Sequence, residues 1–408
     1  MKASTPRILL ADCDSYFVRC AQLADPEGAG RAELLVVGGS PSGRGVVTSA
    51  SYGARAFGVR AGIPMSQALR LCPRATVAPV PGEMVRRKHR EVRAVLERWS
   101  PVVQAASVDE FYLDLTGTEL LYQGKPLEET ARRLQAAVRS ETDISISIGG
   151  AANRLLAKMA ASVNKPEGVF VVPPGEEAAF MLRWDMGDIP GVGPALVEAL
   201  RRRGVVTVRQ GLALERTTLA EWMGPARAEW LWEVMRGHGS TTVSSRPRQK
   251  SVSHERTFDR DISDDRELEA RLLSLAALTG ASLRAEEMRG RTITVRMRYA
   301  DFTDRQGSHT VSEPVESDAA IVRESRALFR RLRRERSGPV RLLGVGVSGL
   351  VRPQEVEPML FVDAPGSAET DRERRLSAAA DRLRSRFGPD AVRSAGAVPP
   401  RRPHSPTD

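Results

Sequence analysis

The sequence predicts an α+β protein of several domains, and three observations carry that prediction. Short apolar runs ending in acids or glycine turns alternate with amphipathic stretches through about residue 175, the order of a sheet covered by helices. From there to about residue 236 the chain is helical in period and punctuated by Gly191, Gly193, Gly204 and Gly224. Beyond a Ser-, Thr- and Pro-bearing stretch, Gly237 to Lys250, a second mixture of strands and long helices follows. A chain of 408 residues exceeds one ordinary core, so two to four domains are expected.

Arg7 to Cys13 reads as a short buried strand that ends in acid. Leu34 to Val37 is a second strand, and Gly38-Gly39-Ser40-Pro41-Ser42-Gly43 turns it towards strand-like Val46-Val47-Thr48. Helix follows around Gln67 to Leu71, closed by Pro73. Met84 to Trp99 is a basic amphipathic helix whose apolar stripe is Val85, Val92, Val95 and Leu96. After Pro101 come the strands Val102-Val103 and Val108 to Leu115, the second with acids at its start. Leu127 to Glu141 reads as helix, Ile144 to Ile148 as strand and Asn153 to Val163 as helix. Past the cationic stretch, Asp265 to Met288 and Ser317 to Arg336 are helices. Strands are expected at the opening of this domain, at Thr292 to Tyr299 and at Val340 to Val347. A Pro/Glu segment, a basic helix from about Thr370 to Phe387 and a Pro-rich disordered tail complete the chain.

The formal charge is +10, and arginine supplies most of the positive side. Its planar fork suits phosphate oxygens, which makes a polyanion the leading partner over a merely solvated basic surface. Cys13, Cys20 and Cys72 lack metal-ligand spacing and fit a reducing compartment, and the five histidines give no zinc signature. No signal peptide and no membrane span is read, so a cytoplasmic protein is expected.

Asp12 and Asp14 end one expected strand, and Asp109 and Glu110 begin another. Adjacent strands, parallel or antiparallel, would bring these ends into one metal site, since carboxylate oxygens suit hard cations that promote phosphoryl transfer. Strand alternation points Asp12 and Asp14 the same way unless Asp14 already lies in a turn. The same spacing also describes acids that cap strands in solvent.

The surrounding words narrow the choice. Asp12-Cys13-Asp14-Ser15-Tyr16-Phe17 resembles the first motif of the Y-family DNA polymerases, nearest the bacterial DinB or DNA polymerase IV branch. Four further segments match in order: Val47 to Arg55 (VTSASYGAR), Ser107 to Asp114 (SVDEFYLD), Asn153 to Ala160 (NRLLAKMA) and Asn164 to Gly168 (NKPEG). The resemblance spans roughly residues 7 to 390. It implies a right-hand-like polymerase with a ferredoxin-like palm (1–17 and 76–175), small fingers (18–75) and a helical thumb with a helix-hairpin-helix (176–236). A basic linker (237–250) would tether an α/β little finger (251–350), with the tail at 351–408.

By the same resemblance, Asp12, Asp109 and Glu110 are the catalytic, metal-binding carboxylates, with the Cys13 carbonyl as a further ligand of two Mg2+ ions or of Mn2+ in their place. Asp14 and Asp114 are structural. Tyr52, Arg55 and Lys158 form a triphosphate clamp, an arginine fork opposed by a compact lysine charge; taken singly they read as a core tyrosine and two surface cations. Phe17 is the steric gate that excludes a 2′-hydroxyl and so selects a dNTP. Gly43, Gly45 and Val46 lie over the nascent base pair and leave it room.

Primer-template DNA is the implied partner. Asp188 to Gly193 resembles a helix-hairpin-helix turn, whose Gly191 and Gly193 let backbone amides approach a phosphate. Ser251 to Phe258 resembles the opening strand of the little finger. Arg296 and Arg298 alternate with apolar residues and, with Arg246, Arg248 and Lys250, are expected to track the DNA backbone, although any solvated strand has that pattern. The cluster Arg330-Arg331-Leu332-Arg333-Arg334 reads rather as the solvated face of a packing helix.

Two positions depart from the family: Ser162 stands where aspartate is common, and Arg154 where lysine is. Glu357 to Phe361 occupies the place of a sliding-clamp peptide, with Glu357 where glutamine is expected; packing of Leu360 and Phe361 onto the little finger is the competing reading. The implied activity is template-directed translesion DNA synthesis by a monomer, dNTP being added to a primer 3′-hydroxyl with pyrophosphate release. A gap-filling polymerase would share this chemistry and differ in template preference. A non-catalytic DNA-binding scaffold would not need Asp12, Asp109, Glu110, Arg55 and Lys158 together, and a nuclease would need neither clamp nor gate.

Overall fold

Ile8-Leu9-Leu10-Ala11 is apolar without alternation because the strand it forms is covered on both faces. The computed structural model describes residues 5–245, 249–355, 368–388 and 391–392. The chain divides into two compact units, Met1–Pro247 and Arg248–Asp408.

The strands of the first unit are β1 (Ile8–Cys13), β2 (Leu35–Gly38), β3 (Val47–Ala50), β4 (Thr76–Ala78), β5 (Val102–Ala105), β6 (Glu110–Asp114), β7 (Ile146–Ala151) and β8 (Val169–Val171). Five of them form a sheet in the order β5-β6-β1-β7-β8. β1 runs antiparallel to both neighbours, β5 antiparallel to β6, and β8 parallel to β7. Helix Gly82–Glu97 lies between β1 and β5 in sequence, and helix Leu127–Thr142 between β6 and β7. Strand order and crossovers together are the expected ferredoxin-like arrangement.

Alternation divides the strands between two cores. Leu9, Ala11, Cys13, Phe111 and Leu113 pack with Val92 and Leu96 of one crossover helix and Leu134 and Val138 of the other. Ile8, Leu10 and Tyr112 face the opposite way. They share a core with helix Arg154–Ala161 and with the short helices that run through Met235. Asn153 starts the Arg154–Ala161 helix by accepting a 3.0 Å hydrogen bond from the Leu156 amide. That helix lies directly on β7, because a side chain at Gly149 would collide with the backbone of Ala157 and Ala161.

β3, β2 and β4 make a separate three-stranded sheet inserted between β1 and helix Gly82–Glu97. β4 pairs with β2, so residues 76–78, expected in the first sheet's domain, sit in this second sheet. Three residues of strand give no readable period, and β4 and β8 both escape detection in the sequence for that reason.

The hinge-like stretch from Gly237 onwards is held along the first unit. Asn153 donates to the Gly237 carbonyl at 2.7 Å, the Arg154 amide to Ser240 at 3.0 Å, and the Ser244 amide to Gln104 at 2.9 Å. Arg154, the departure from lysine, stacks its guanidinium 4.2 Å from the Tyr112 ring centre. Arg246 and Arg248 lie outside the described residues, and so does Glu357 to Phe361.

The second unit carries β9 (Ser251–Ile262), β10 (Arg289–Tyr299), β11 (Asp304–Val315) and β12 (Val340–Val351) in an antiparallel sheet ordered β11-β10-β12-β9. Helices Asp265–Ala285 and Asp318–Glu335 cover one face. The sequence reading has three strands here and omits β11. That edge strand is polar along most of its length and holds Gly307 and Pro314, which removes the apolar alternation that signals a strand. Two arginines at the end of the second helix reach its neighbour: Arg333 bonds Asp265 at 2.7 Å, and Arg330 lies 3.5 Å from Glu269.

Helix Asp371–Phe387 belongs to this unit. Arg284 bonds Asp381 at 2.6 Å and Asp318 at 2.8 Å, while buried Glu369 accepts from the amides of Glu316 and Ser317. Among the described residues no helix is long and apolar enough to cross a membrane.

Replacing Gly149 by alanine is expected to destabilise the first unit by about 3 kcal/mol, since helix and strand must separate to admit one carbon. Chemical denaturation of the variant beside the native chain measures this.

Candidate active site

The ladder between β1 and β6 sets Asp12 directly opposite Glu110. One residue on, the Cys13 amide donates to the Asp109 carbonyl at 2.9 Å, which draws the bend before β6 against the end of β1. β6 begins at Glu110 rather than Val108, so Asp109 stands in that bend. Ser107 braces it: its hydroxyl donates to the Asp109 carboxylate and accepts from the amides of Asp109 at 3.2 Å and Glu110 at 3.1 Å.

Asp14 is in a turn and turns away from these acids. It is buried, accepting from the Ser147 hydroxyl at 2.8 Å and the Glu167 amide at 3.0 Å. Asp114 likewise serves the backbone, accepting from the Thr116 amide at 2.9 Å.

Like charges opposed across a ladder repel, and lysines offset the repulsion here. Lys158 donates to both oxygens of Glu110, at 2.7 and 2.6 Å, and Lys165 lies 2.6 Å from Asp12. Burial pushes the Asp12 carboxyl above its ordinary value, and the charges of Glu110 and Asp109 add to that, against the opposing pull of Lys165. Burial works against the charged form of Lys158, but its bonds to Glu110 win and raise its pKa.

A cavity of about 450 Å³ opens on this cluster. Asp12, Cys13, Asp109 and Glu110 line it together with Phe17, Tyr52, Arg55, Arg60 and Lys165. Phe17 follows from the helix Tyr16–Ala24 that starts immediately after the Asp14 turn. Ser51 caps the short helix Tyr52–Ala56 with its hydroxyl, which sets Tyr52 and Arg55 on one turn. The Arg55 guanidinium lies 4.8 Å from the Tyr52 ring centre and bonds the Ala50 carbonyl at 2.9 Å, leaving its terminal nitrogens for a ligand.

One expectation changes. Lys158, placed in the triphosphate clamp from the sequence, is engaged with Glu110 and does not line the cavity; Lys165 does. The motif Asn164-Lys165-Pro166-Glu167-Gly168 contains that lysine but does not say where it points. Gly45 has a local reason to be small. A side chain there would strike the backbone of Gly39 and Ser40, where the ends of the turn cross. Arg60 was not singled out, and its guanidinium is partly used on the carbonyls of Arg55 at 2.6 Å and Val59 at 3.1 Å.

Gly191 and Gly193, the expected DNA-contact residues of the first unit, are not among the residues lining this cavity. Gly191 has a left-handed φ of +96°, and a side chain on it would stand 2.8 Å from the Trp230 ring. Gly193 caps helix Pro194–Arg201 and meets nothing on its open side. Lys250 is exposed. Arg296 and Arg298 are paired with acids: Arg298 with Asp304 at 2.7 Å, Arg296 with Asp304 at 3.0 Å and with Glu255 at 3.1 Å. The expected cationic face is therefore internally neutralised.

Carboxylates and a backbone carbonyl are an all-oxygen donor set, which fits a hard divalent cation. Burial is the main cause of the raised Asp12 pKa, and the neighbouring Glu110 and Asp109 charges, which such a cation would relieve, add to it. With Asp12 and Glu110 turned onto lysines, no three His, Cys, Asp or Glu side chains among the described residues are close enough to hold an ion in this conformation.

Comparison with known proteins gives concordant matches. Residues 11–162 match the impB/mucB/samB family, and residues 249–359 match that family's C-terminal domain. A DNA polymerase IV of Alkalilimnicola ehrlichii is 36% identical over 353 residues, 85% of this chain and 96% of the relative. One from Dehalococcoides mccartyi is 32% identical over 391 residues, covering 96% of this chain and 97% of its own. Among solved structures, a chimera of the Y-family polymerases Dbh and Dpo4 superposes with a TM-score of 0.74 at 24% identity, covering 85% of this chain and 99% of that one. DinB from Sulfolobus solfataricus gives 0.58 at 24% identity with the same coverage.

Millimolar Mg2+ or Mn2+ is expected to raise the melting temperature of the native chain by roughly 3 °C, and not that of Asp109→Ala/Glu110→Ala. Because metal binds the ionised carboxylates, the shift should shrink as the pH falls towards 5. Scanning calorimetry with and without the ion tests both statements.

Proposed function

The chain belongs to the impB/mucB/samB family of Y-family DNA polymerases, and from that premise we propose how its residues divide the work. The protein is a DNA-directed DNA polymerase of the translesion class, dependent on divalent metal. It joins the nucleotidyl group of a dNTP to a primer 3′-hydroxyl and releases pyrophosphate.

In our assignment the first sheet is the palm, the inserted sheet and its helices the fingers, the helices to Met235 the thumb and the second unit the little finger. Asp12, Asp109, Glu110 and the Cys13 carbonyl would hold two Mg2+ ions, which supply charge neutralisation and an activated primer oxygen. Arg55, Tyr52 and Lys165 grip the triphosphate, the arginine as a fork and the lysine as a point charge, and so hold the leaving group. Lys158 positions Glu110. The Phe17 ring occupies the space that a ribose 2′-hydroxyl would need. The thumb turn at Gly191 and Gly193, together with Arg246, Arg248 and Lys250, holds the primer-template backbone. The reading includes a monomer acting in the cytoplasm, with Leu360 and Phe361 of the Glu357–Phe361 segment as apolar anchors for a sliding clamp.

One observation supports this division best: acids and phosphate-type cations line a single cavity, with Phe17 among them. An acid cluster alone would serve many hydrolytic reactions, and a cation cluster alone would serve simple anion binding.

Primer extension with dNTP and magnesium tests it. Asp109→Ala/Glu110→Ala should lose about a thousandfold or more in rate, the scale expected when the metal-supplied stabilisation is removed. Lys165→Ala should lower kcat/KM for dNTP by about ten- to a hundredfold through lost phosphate contacts. Extension that is unchanged in the double variant would move the chemistry elsewhere.

Phe17→Ala should raise ribonucleotide use relative to deoxynucleotide by roughly a hundredfold. Steady-state incorporation of the two nucleotides opposite the same template base measures the ratio; an unaltered ratio removes Phe17 from the gate.

A further inference from the structure

The open face of the little-finger sheet is ruled into rows by strand register. Thr292 and Thr294 of β10 stand beside Thr310 and Ser308 of β11, and across β12 lie Ser251 and Ser253 of β9. The next row is Gln306, Arg296, Gly344 and Glu255, and the one after it Asp304, Arg298, Leu342 and Thr257. Small hydroxyl and glycine positions thus lead to two rows whose cations, Arg296 and Arg298, are both tied to carboxylates.

The tie is specific. Asp304 accepts from Arg298 through both oxygens, at 2.7 Å from Nε and 2.8 Å from a terminal nitrogen, and its second oxygen also accepts from Arg296 at 3.0 Å. This side-on geometry is the one a guanidinium offers a phosphate. Arg296 reaches on to Glu255 across β12, and Gly344 makes that passage possible, since a Cβ there would lie 2.6 Å from Glu255 Cγ. Arg298, Asp304, Arg296 and Glu255 therefore form an alternating chain of zero net charge on the face expected to meet DNA.

We propose that Asp304 is an affinity-setting residue of this polymerase: its carboxylate holds the phosphate-binding forks of Arg298 and Arg296, so that DNA reaches these forks only by displacing it. The inference rests on the reading of this face as a DNA-backbone surface. Asp304 is well placed to be displaced, because it sits on an edge strand and its side chain is about two-fifths exposed (42%). An exposed ion pair of this kind is weak in water, so a phosphate competes with it on nearly equal terms. Glu255, on the far side of Gly344, keeps Arg296 extended over the face in either state.

The experiment is a double-mutant cycle on the full chain, read as binding of a fluorescent primer-template between about 50 and 200 mM salt. Asp304→Asn removes the charge and keeps the shape; Asp304→Ser repeats the charge change without an amide, and melting curves show that each variant folds. Each Asp304 variant should bind several-fold more tightly, with the salt slope steeper by about 0.9 for every further phosphate that the freed arginines neutralise. Adding Arg296→Ala/Arg298→Ala to either variant should cancel the tighter binding. Tighter binding that survives in that combination is general charge removal and overturns the proposal. Unchanged affinity in the Asp304 variants, with Arg296→Ala/Arg298→Ala alone weakening binding about tenfold, overturns the role of Asp304 and leaves the DNA surface standing. No effect from either set of changes removes both.

Discussion

Two like-charged carboxylates face each other where β1 meets β6, and much of the first unit is arranged around that repulsion. Asp12 and Glu110 are fixed opposite by backbone pairing, so no side-chain rotation within the ladder separates their anchor points. Their compensation comes from two lysines on separate segments. Helix Arg154–Ala161 carries Lys158, and bare backbone at Gly149 lets that helix lie close enough for the lysine to reach Glu110. The segment after it carries Lys165, and buried Asp14 anchors that segment through the Glu167 amide. Asp14, which shares the first motif with Asp12, thus serves to hold a cation over it.

The arrangement separates two kinds of positive charge that composition cannot distinguish. Lys158 is bound to Glu110 by two hydrogen bonds and is not among the residues lining the cavity. Arg55 lines it, and so does Lys165, which is paired with Asp12. The same distinction applies in the second unit. The +10 formal charge suggests a surface rich in free cations, yet Arg284, Arg333, Arg296 and Arg298 are all engaged with acids of neighbouring elements.

What the sequence reveals and conceals follows from the range of the forces involved. The strands that carry the acids are buried or strongly apolar, and their local pattern exposes them. The polymerase motifs are short words read within one segment. By contrast, the pairing of Lys158 with Glu110 joins residues 48 apart in the chain and leaves no mark on either word. The neutralisation of Arg296 and Arg298 is hidden from the sequence in two ways. Asp304 lies on β11, the strand whose polar composition conceals it, and Glu255, though on a recognised strand, is brought beside Arg296 only by the register across β12. The close backbone crossing at Gly45 is likewise a property of the folded turn and not of the glycine's neighbours in sequence.

Both sites therefore exchange partners rather than simply acquire them. Around Asp12 and Glu110, lysine ammonium groups stand where divalent cations would supply charge; on the little-finger sheet, carboxylates stand where phosphates would. Without ligand each of these charges is compensated within the fold, which spares the folded protein an unpaired charge, a cost that grows steeply with burial. The consequence for binding is quantitative. An interaction made by exchange contributes only the difference between two favourable ones, so each arginine adds less affinity than a free one. A grip assembled from such differences releases more readily than one made by free arginines, because the protein's own carboxylate is at hand to take back the arginine as DNA leaves.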